Sequence, residues 1–182
     1  MAVMARSLGW YLPEQLILDV TLAGSRPPIW RRLEVHSGLT LHDLHFVIQC
    51  AFAWENAHPY HFLVPPGGKL TQRAMREAIL FHMLPPDPFF SGDEKSGKAD
   101  EAMIGRVFNA QCKQIVYEYD FGDSWEHLVK LVKRTRGGDQ SHVPRCLEGE
   151  NAAPLEDLGG LGGYYHWLDA LRDNGSAHEP CR

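Results

Sequence analysis

The segment from Ile115 to Arg134 constrains the fold of this chain more than any other. Tyr117, Tyr119 and Phe121 alternate with Glu118 and Asp120, Gly122-Asp123-Ser124 turns the chain, and Trp125, His127, Val129 and Leu131 alternate on the return. A period of two sends successive side chains to opposite faces, so the pattern predicts a β-hairpin with one buried face. Two registers compete. A two-residue turn at Gly122-Asp123 sets Glu118 opposite His127 and Asp120 opposite Trp125. A three-residue turn sets Phe121 opposite Trp125 and Tyr119 opposite His127, with Asp120 facing Glu126. The second gathers the apolar side chains on one face and is preferred, although it sets two carboxylates against each other.

Around the hairpin the chain reads as alternating strands and helices. Leu16, Leu18, Val20 and Leu22 share one face of a strand over 15–23, Gly24-Ser25-Arg26-Pro27-Pro28 turns, and 29–36 reads as a second strand. Thr40 followed by Asp43 opens a helix over 41–53, in which Leu41, Leu44, Val47, Ile48, Ala51 and Phe52 recur at helical spacing. Tyr60–Val64 is a third strand. A helix is expected over 72–83, ended by Pro85-Pro86-Asp87-Pro88, and Ser91–Lys98 is polar. A short helix over 100–108 places Met103, Ile104, Val107 and Phe108 inward. Residues 137–163 read as a Gly-, Pro- and acid-rich loop, and 164–172 as a last short helix. This order predicts one α+β domain over 1–182, a mainly antiparallel sheet with packed helices.

Composition narrows the function classes. The 182 residues carry 18 Lys and Arg against 23 Asp and Glu, a net charge of −5, which excludes a whole-surface basic field for nucleic acid. Four cysteines, Cys50, Cys112, Cys146 and Cys181, form no C-x-x-C pair and give no zinc-ribbon signal. Met1–Trp10 holds one Arg and no signal-peptide core, and the apolar run Phe46–Trp54 is too short to span a bilayer. A cytoplasmic setting with free thiols and no membrane partner is therefore expected.

Asp120, Asp123, Glu126 and His127 form the densest group of potential acid–base or metal-binding side chains, and Glu156-Asp157 is a second acidic point. Gly159, Gly160, Gly162 and Gly163 permit tight turns, but G-G-L-G-G matches neither a P-loop nor a dinucleotide fingerprint. His42/His45 and His58/His61 could each offer two ligands; lacking a second acid or cysteine set nearby, they read as packed side chains. No nucleophile elbow is present. Arg31, Arg32, Lys130, Lys133, Arg134 and Arg136 are the basic residues that could meet phosphates.

The string Tyr117-Glu118-Tyr119-Asp120-Phe121-Gly122-Asp123-Ser124-Trp125-Glu126-His127 resembles the plasmid pRiA4b ORF-3-like family. Ile29-Trp30-Arg31-Arg32-Leu33, Thr40-Leu41-His42-Asp43-Leu44 running to Trp54 and His58, and Glu156-Asp157-Leu158-Gly159-Gly160 leading to Gly163-Tyr164 agree with it. The resemblance spans about residues 15–173 and implies a compact α+β fold in prokaryotes, often encoded on plasmids or beside mobile elements. It transfers a motif set, Asp120, Gly122, Asp123, Trp125, His127, Glu156, Asp157, Gly159, Gly160 and Tyr164, and no catalytic residue. Ala153-Pro154-Leu155 stands where relatives often carry Pro-Pro or Cys-Pro-Pro, so a multi-cysteine metal site near Cys146 is not supported. The end at His178-Glu179-Pro180-Cys181-Arg182 lacks the usual Phe-Asp-Pro segment, which suggests a shortened member without a terminal element.

These readings combine into a non-catalytic binding or interaction module with an unidentified protein or nucleic-acid partner. Its working face joins Asp120, Asp123, Trp125, Glu126 and His127 to Glu156, Asp157 and Tyr164. The alternative is a metal-dependent hydrolase of phosphodiesters, with a divalent ion on Asp120, Asp123, Glu156 or Asp157 and His127 as ligand or proton carrier. A second alternative is direct nucleic-acid binding through the six basic residues named above.

Overall fold

Period-two burial runs through the central strands and builds one sheet. The computed structural model describes residues 14–82, 96–136 and 143–176; the expectations for Met1–Trp10, Pro85–Pro88 and the first part of Ser91–Lys98 fall outside them, as does Cys181. The strands are β1 (Glu14–Leu22), β2 (Trp30–His36), β3 (Tyr60–Val64), β4 (Ile79–His82), β5 (Ser96–Lys98), β6 (Gln114–Tyr119), β7 (Trp125–Arg136) and β8 (Arg145–Glu150). They lie side by side in the order β5-β4-β3-β6-β7-β1-β2-β8. All neighbours are antiparallel except β4 and β5, which are parallel. The helices among the described residues are α1 (Leu41–Phe52), α2 (Gln72–Arg76), α3 (Ile104–Val107) and α4 (Gly160–Ser176). The fold is α+β with a mainly antiparallel sheet.

The alternating strands bury one face. Leu16, Leu18 and Val20 of β1 are fully buried, as are Ile115, Tyr117 and Tyr119 of β6 and Trp125, His127 and Val129 of β7. Burying a Leu, Val or Ile side chain contributes about 1.5–3 kcal/mol, so this face supplies much of the fold's stability. Helix α1 covers it with Leu41, Leu44, His45, Ile48, Gln49 and Phe52. Its start is fixed by a capping box: Asp43 N–H donates to Thr40 Oγ1 at 3.1 Å, and Thr40 N–H donates to Asp43 Oδ2 at 2.8 Å. The polar members of the α1 face are satisfied inside the core. His45 Nδ1 meets Tyr117 Oη at 2.8 Å, its Nε2 meets Asn56 Oδ1 at 2.6 Å, and Gln49 Nε2 donates to Tyr117 Oη at 3.0 Å.

Four sequence expectations change. The hairpin closes on neither expected register: Tyr117 pairs with His127, Glu118 with Glu126 and Tyr119 with Trp125. The preferred register places Tyr117, Tyr119, Trp125 and His127 on the buried face, as found, but misses the offset and the exposure of Phe121, because Asp120–Ser124 forms a longer loop. Asp120 (φ 57°) and Ser124 (φ 54°) are left-handed, and the Asp120 Oδ1 accepts from Gly122 N–H at 2.9 Å. The helix expected over 72–83 stops at Arg76, and Ile79–His82 pairs with β3 instead. The helix over 100–108 contracts to Ile104–Val107 and leaves Met103 exposed. The 137–163 stretch contains β8, and α4 begins at Gly160 and runs through Ser176.

Candidate functional site

Three loops leave the sheet at the same end. Tyr60, Tyr119 and Trp125 are side by side in the ladder, so the 53–59 loop after α1 and the 120–124 hairpin loop emerge together. The 151–159 loop between β8 and α4 reaches both. Trp54 Nε1 donates to the Pro154 carbonyl at 2.9 Å, and its ring stacks on Tyr119 with centroids 5.2 Å apart. Glu55 N–H donates to Glu156 Oε2 at 3.1 Å, while the Tyr119 hydroxyl donates to Glu156 Oε1. That hydroxyl also accepts from the backbone N–H of Ala57 at 2.9 Å and His58 at 3.3 Å. Burial first, and the Glu156 carboxylate second, hold the Tyr119 phenol above its ordinary range, so it remains a donor.

Asp123 ties the hairpin loop to α4. Its Oδ2 accepts from Gly159 N–H at 3.0 Å. A Cβ on Gly160 would stand 2.5 Å from the Asp123 carbonyl oxygen, and φ there is +69°, so only glycine fits without displacement. At Gly163 a Cβ would meet the Leu158 carbonyl oxygen at 1.5 Å. Gly160 and Gly163 therefore serve close backbone approach in the first turn of α4. Among the described residues the six non-glycine positions with left-handed backbone are Ala53, Asn56, Asp120, Ser124, Asn151 and Asp157, all in these three loops. Such conformations concentrate where surrounding contacts over-determine the chain.

Within this frame three side chains converge, one from each loop. His58 Nε2 lies 3.1 Å from Asp157 Oδ1 and 3.7 Å from Asp120 Oδ2, and the three donor atoms all fall within 4.8 Å of one another. Asp120 is buried and Asp157 exposed. The His58 Nε2 atom is shielded from water yet meets neither carboxylate in hydrogen-bonding geometry. An imidazole nitrogen and two carboxylates are a donor set suited to a divalent ion.

The other sequence candidates are placed differently. Glu156 and Asp123 are adjacent to the cluster but spent on Tyr119, Glu55 and Gly159 as above. Trp125 and His127 are fully buried core residues. The His127 ring packs edge-on against Phe52 and Trp54 at 4.8 and 5.2 Å, with Nδ1 on the Trp125 carbonyl. Burial pushes its pKa down to about 3. It stays neutral and inside the sheet's covered face. Glu126 is exposed on the opposite face, across from Glu118. Tyr164 is buried, with its hydroxyl 3.4 Å from the Ala152 carbonyl. His58, which lacked a neighbouring ligand set in the sequence, is the residue that the fold adds.

The basic candidates are mostly engaged by protein acceptors. Arg31 donates to the carbonyls of Trp30, Ala51, Glu150 and Asn151. Arg32 pairs with Asp19 at 2.7 Å and Glu148 at 2.9 Å. Arg134 and Arg136 both close on the buried Glu14, at 2.8 and 3.0 Å. Lys130 and Lys133 are exposed on β7.

Fold and site together define an α+β protein with one mainly antiparallel sheet, whose loops gather a histidine and two aspartates at one end. Its profile match identifies the family: residues 14–181 match the plasmid pRiA4b ORF-3-like proteins, and the chain belongs to that family. It is 33 % identical over 162 residues to the uncharacterized protein y4hQ of Sinorhizobium fredii (strain NBRC 101917 / NGR234), covering 89 % of this chain and 74 % of that one. The crystal structure of protein of unknown function MM3350 from Methanosarcina mazei Go1 superposes with a TM-score of 0.73 at 28 % identity, covering 89 % of this chain and 83 % of that one. No helix among the described residues is long and apolar enough to cross a membrane.

Proposed function

We propose that this protein is a non-catalytic binding module whose working face is the three-loop end of the sheet. The observation that carries this reading is the mutual clamping of the loops, in which Tyr119 and Glu156 join the 53–59 and 151–159 segments and Asp123 ties the 120–124 loop to Gly159, around His58, Asp120 and Asp157. Loops already ordered before a ligand arrives lose little further freedom on binding, so such a face binds at low entropic cost. The exposed Asp157 leaves one side of the cluster open to solvent. Cys50, Cys112 and Cys146 are free thiols, in keeping with a cytoplasmic setting. Association with plasmids or other mobile DNA rests on the family's name.

A metal-dependent phosphodiester hydrolase is the second reading, supported by Asp120 and Asp157 converging on one point. In it His58 takes the place expected of His127, since a fully buried imidazole exchanges no protons with substrate.

A thermal-shift panel of divalent cations, nucleotides and short single- and double-stranded oligonucleotides separates these readings. The binding-module reading expects stabilisation that is lost in Asp120→Asn and Asp157→Asn, with no turnover of a chromogenic phosphodiester. Stabilisation that survives both substitutions would place the working face elsewhere. Turnover lost in the same two variants would replace the module with the hydrolase.

A further inference from the structure

We propose that His58, Asp120 and Asp157 bind one divalent transition-metal ion, of the Mn²⁺ to Zn²⁺ series, at the junction of the three loops. This rests on the binding-face reading above and names its ligand.

Three features of the cluster point to a metal. The first is spacing. Imidazole nitrogen and carboxylate oxygen atoms bound to one such ion at about 2.0–2.2 Å stand roughly 3–4 Å apart. The His58 Nε2 contacts of 3.1 and 3.7 Å fall in that range, and no pair of the three donors exceeds 4.8 Å. The second is the state of the histidine. Its Nε2 atom is withdrawn from water and has no hydrogen-bond partner, although two carboxylates stand beside it. A shielded nitrogen with no aligned hydrogen bond costs free energy that a metal bond would remove. The third is support. Asp120 Oδ1 is held by Gly122 N–H at 2.9 Å, which leaves Oδ2, the oxygen nearer His58, for an ion. The backbone on either side of His58 is fixed by the Tyr119 hydroxyl, which accepts from both Ala57 and His58 N–H. Ligands oriented by outer hydrogen bonds in this way bind metal more tightly than free ones.

The donor chemistry selects the ion. Mg²⁺ and Ca²⁺ favour all-oxygen sites, whereas an imidazole with carboxylates suits Mn²⁺, Fe²⁺, Co²⁺ and Zn²⁺. Three protein ligands leave coordination positions open on the Asp157 side, where a carboxylate or phosphate oxygen of a partner can complete the shell.

The test uses the untagged, chelator-treated full chain, titrated calorimetrically with Zn²⁺, Mn²⁺, Mg²⁺ and Ca²⁺ in turn. The expected result is one equivalent of Zn²⁺ or Mn²⁺ bound, with Mg²⁺ and Ca²⁺ weaker by about tenfold or more. His58→Gln and Asp157→Asn should each weaken binding by about tenfold or more, while His166→Gln on α4 leaves it unchanged. The Asp157 side chain is 77 % exposed, so its substitution should leave the metal-free melting temperature unchanged and keep the test independent of folding. Mn²⁺ should broaden the His58 ring resonances before those of any other histidine. Zn²⁺ or Mn²⁺ binding that is unaffected by both substitutions would overturn the metal site. So would the absence of any transition-metal binding. The binding face would still stand in that last case if another panel ligand were lost in Asp157→Asn, and would fall with the metal if none were.

Discussion

His127 and His45 are both fully buried, and burial holds both imidazoles neutral, with pKa values pushed down to about 3 and about 4. The unfolded chain keeps the ordinary value near 6.5, so as the pH falls below that point it takes up protons before the folded chain does. The stability from neutral burial is thus complete above about pH 6.5 and is lost progressively towards pH 3–4, on the order of 5 kcal/mol for His127. Urea midpoints measured from pH 7 to pH 4 should fall steeply for the wild type and less steeply for His127→Phe. Equal slopes would show that His127 does not carry the acid sensitivity. The two glycines flanking Leu161 provide a second residue-scale contrast. Gly160→Ala should cost about 1–3 kcal/mol, because the added Cβ meets the Asp123 carbonyl in a left-handed backbone. A Cβ on Gly162 meets nothing within 4 Å, so Gly162→Ala should raise stability by up to about 1 kcal/mol through helix propensity. Denaturation curves of the two variants check both signs.

At the scale of elements, the Tyr119 hydroxyl is the joint between β6 and two of the loops. Tyr119→Phe removes a donor to Glu156 and an acceptor for two backbone N–H groups, and should cost about 1–3 kcal/mol. Amide exchange at Ala57 and His58 should accelerate while α1 amides stay protected; unchanged exchange at those two positions would refute the clamp. How far each element could be read from sequence follows from its physics. Helix α1 and strands β1, β6 and β7 carry strong periodicity or a capping box, because each buries a single face. β8 carried none, since all six of its residues are exposed at the sheet edge. β4 was hidden in an apolar run after α2, where a short strand and a continuing helix leave the same trace. The hairpin faces were legible but the pairing was not. The offset depends on the left-handed backbone at Asp120 and Ser124, which alternation does not encode.

At the scale of the whole molecule, the acidic turn was legible as a cluster and its chemical partner was not. Asp120 and Asp157 stood out in sequence. His58 joins them only because the sheet sets β3 beside β6 and α4 is tied back to Asp123. The same assembly that creates this site consumes most of the basic cluster. Arg31, Arg32, Arg134 and Arg136 hold β2, β8 and the ends of β1 and β7 in place, and the exposed cations of that group are Lys130, Lys133 and Arg136, the last of them paired with Glu14. The proposed binding face is the three-loop end, and two-dimensional NMR of the ¹⁵N-labelled chain titrated with Zn²⁺ reads it out residue by residue. The first amides to shift should be those of residues 56–59, 120–124 and 155–160, with β8 and the exposed side of α4 unmoved. First shifts around Lys130 and Lys133, or scattered over the exposed histidines, would contradict it.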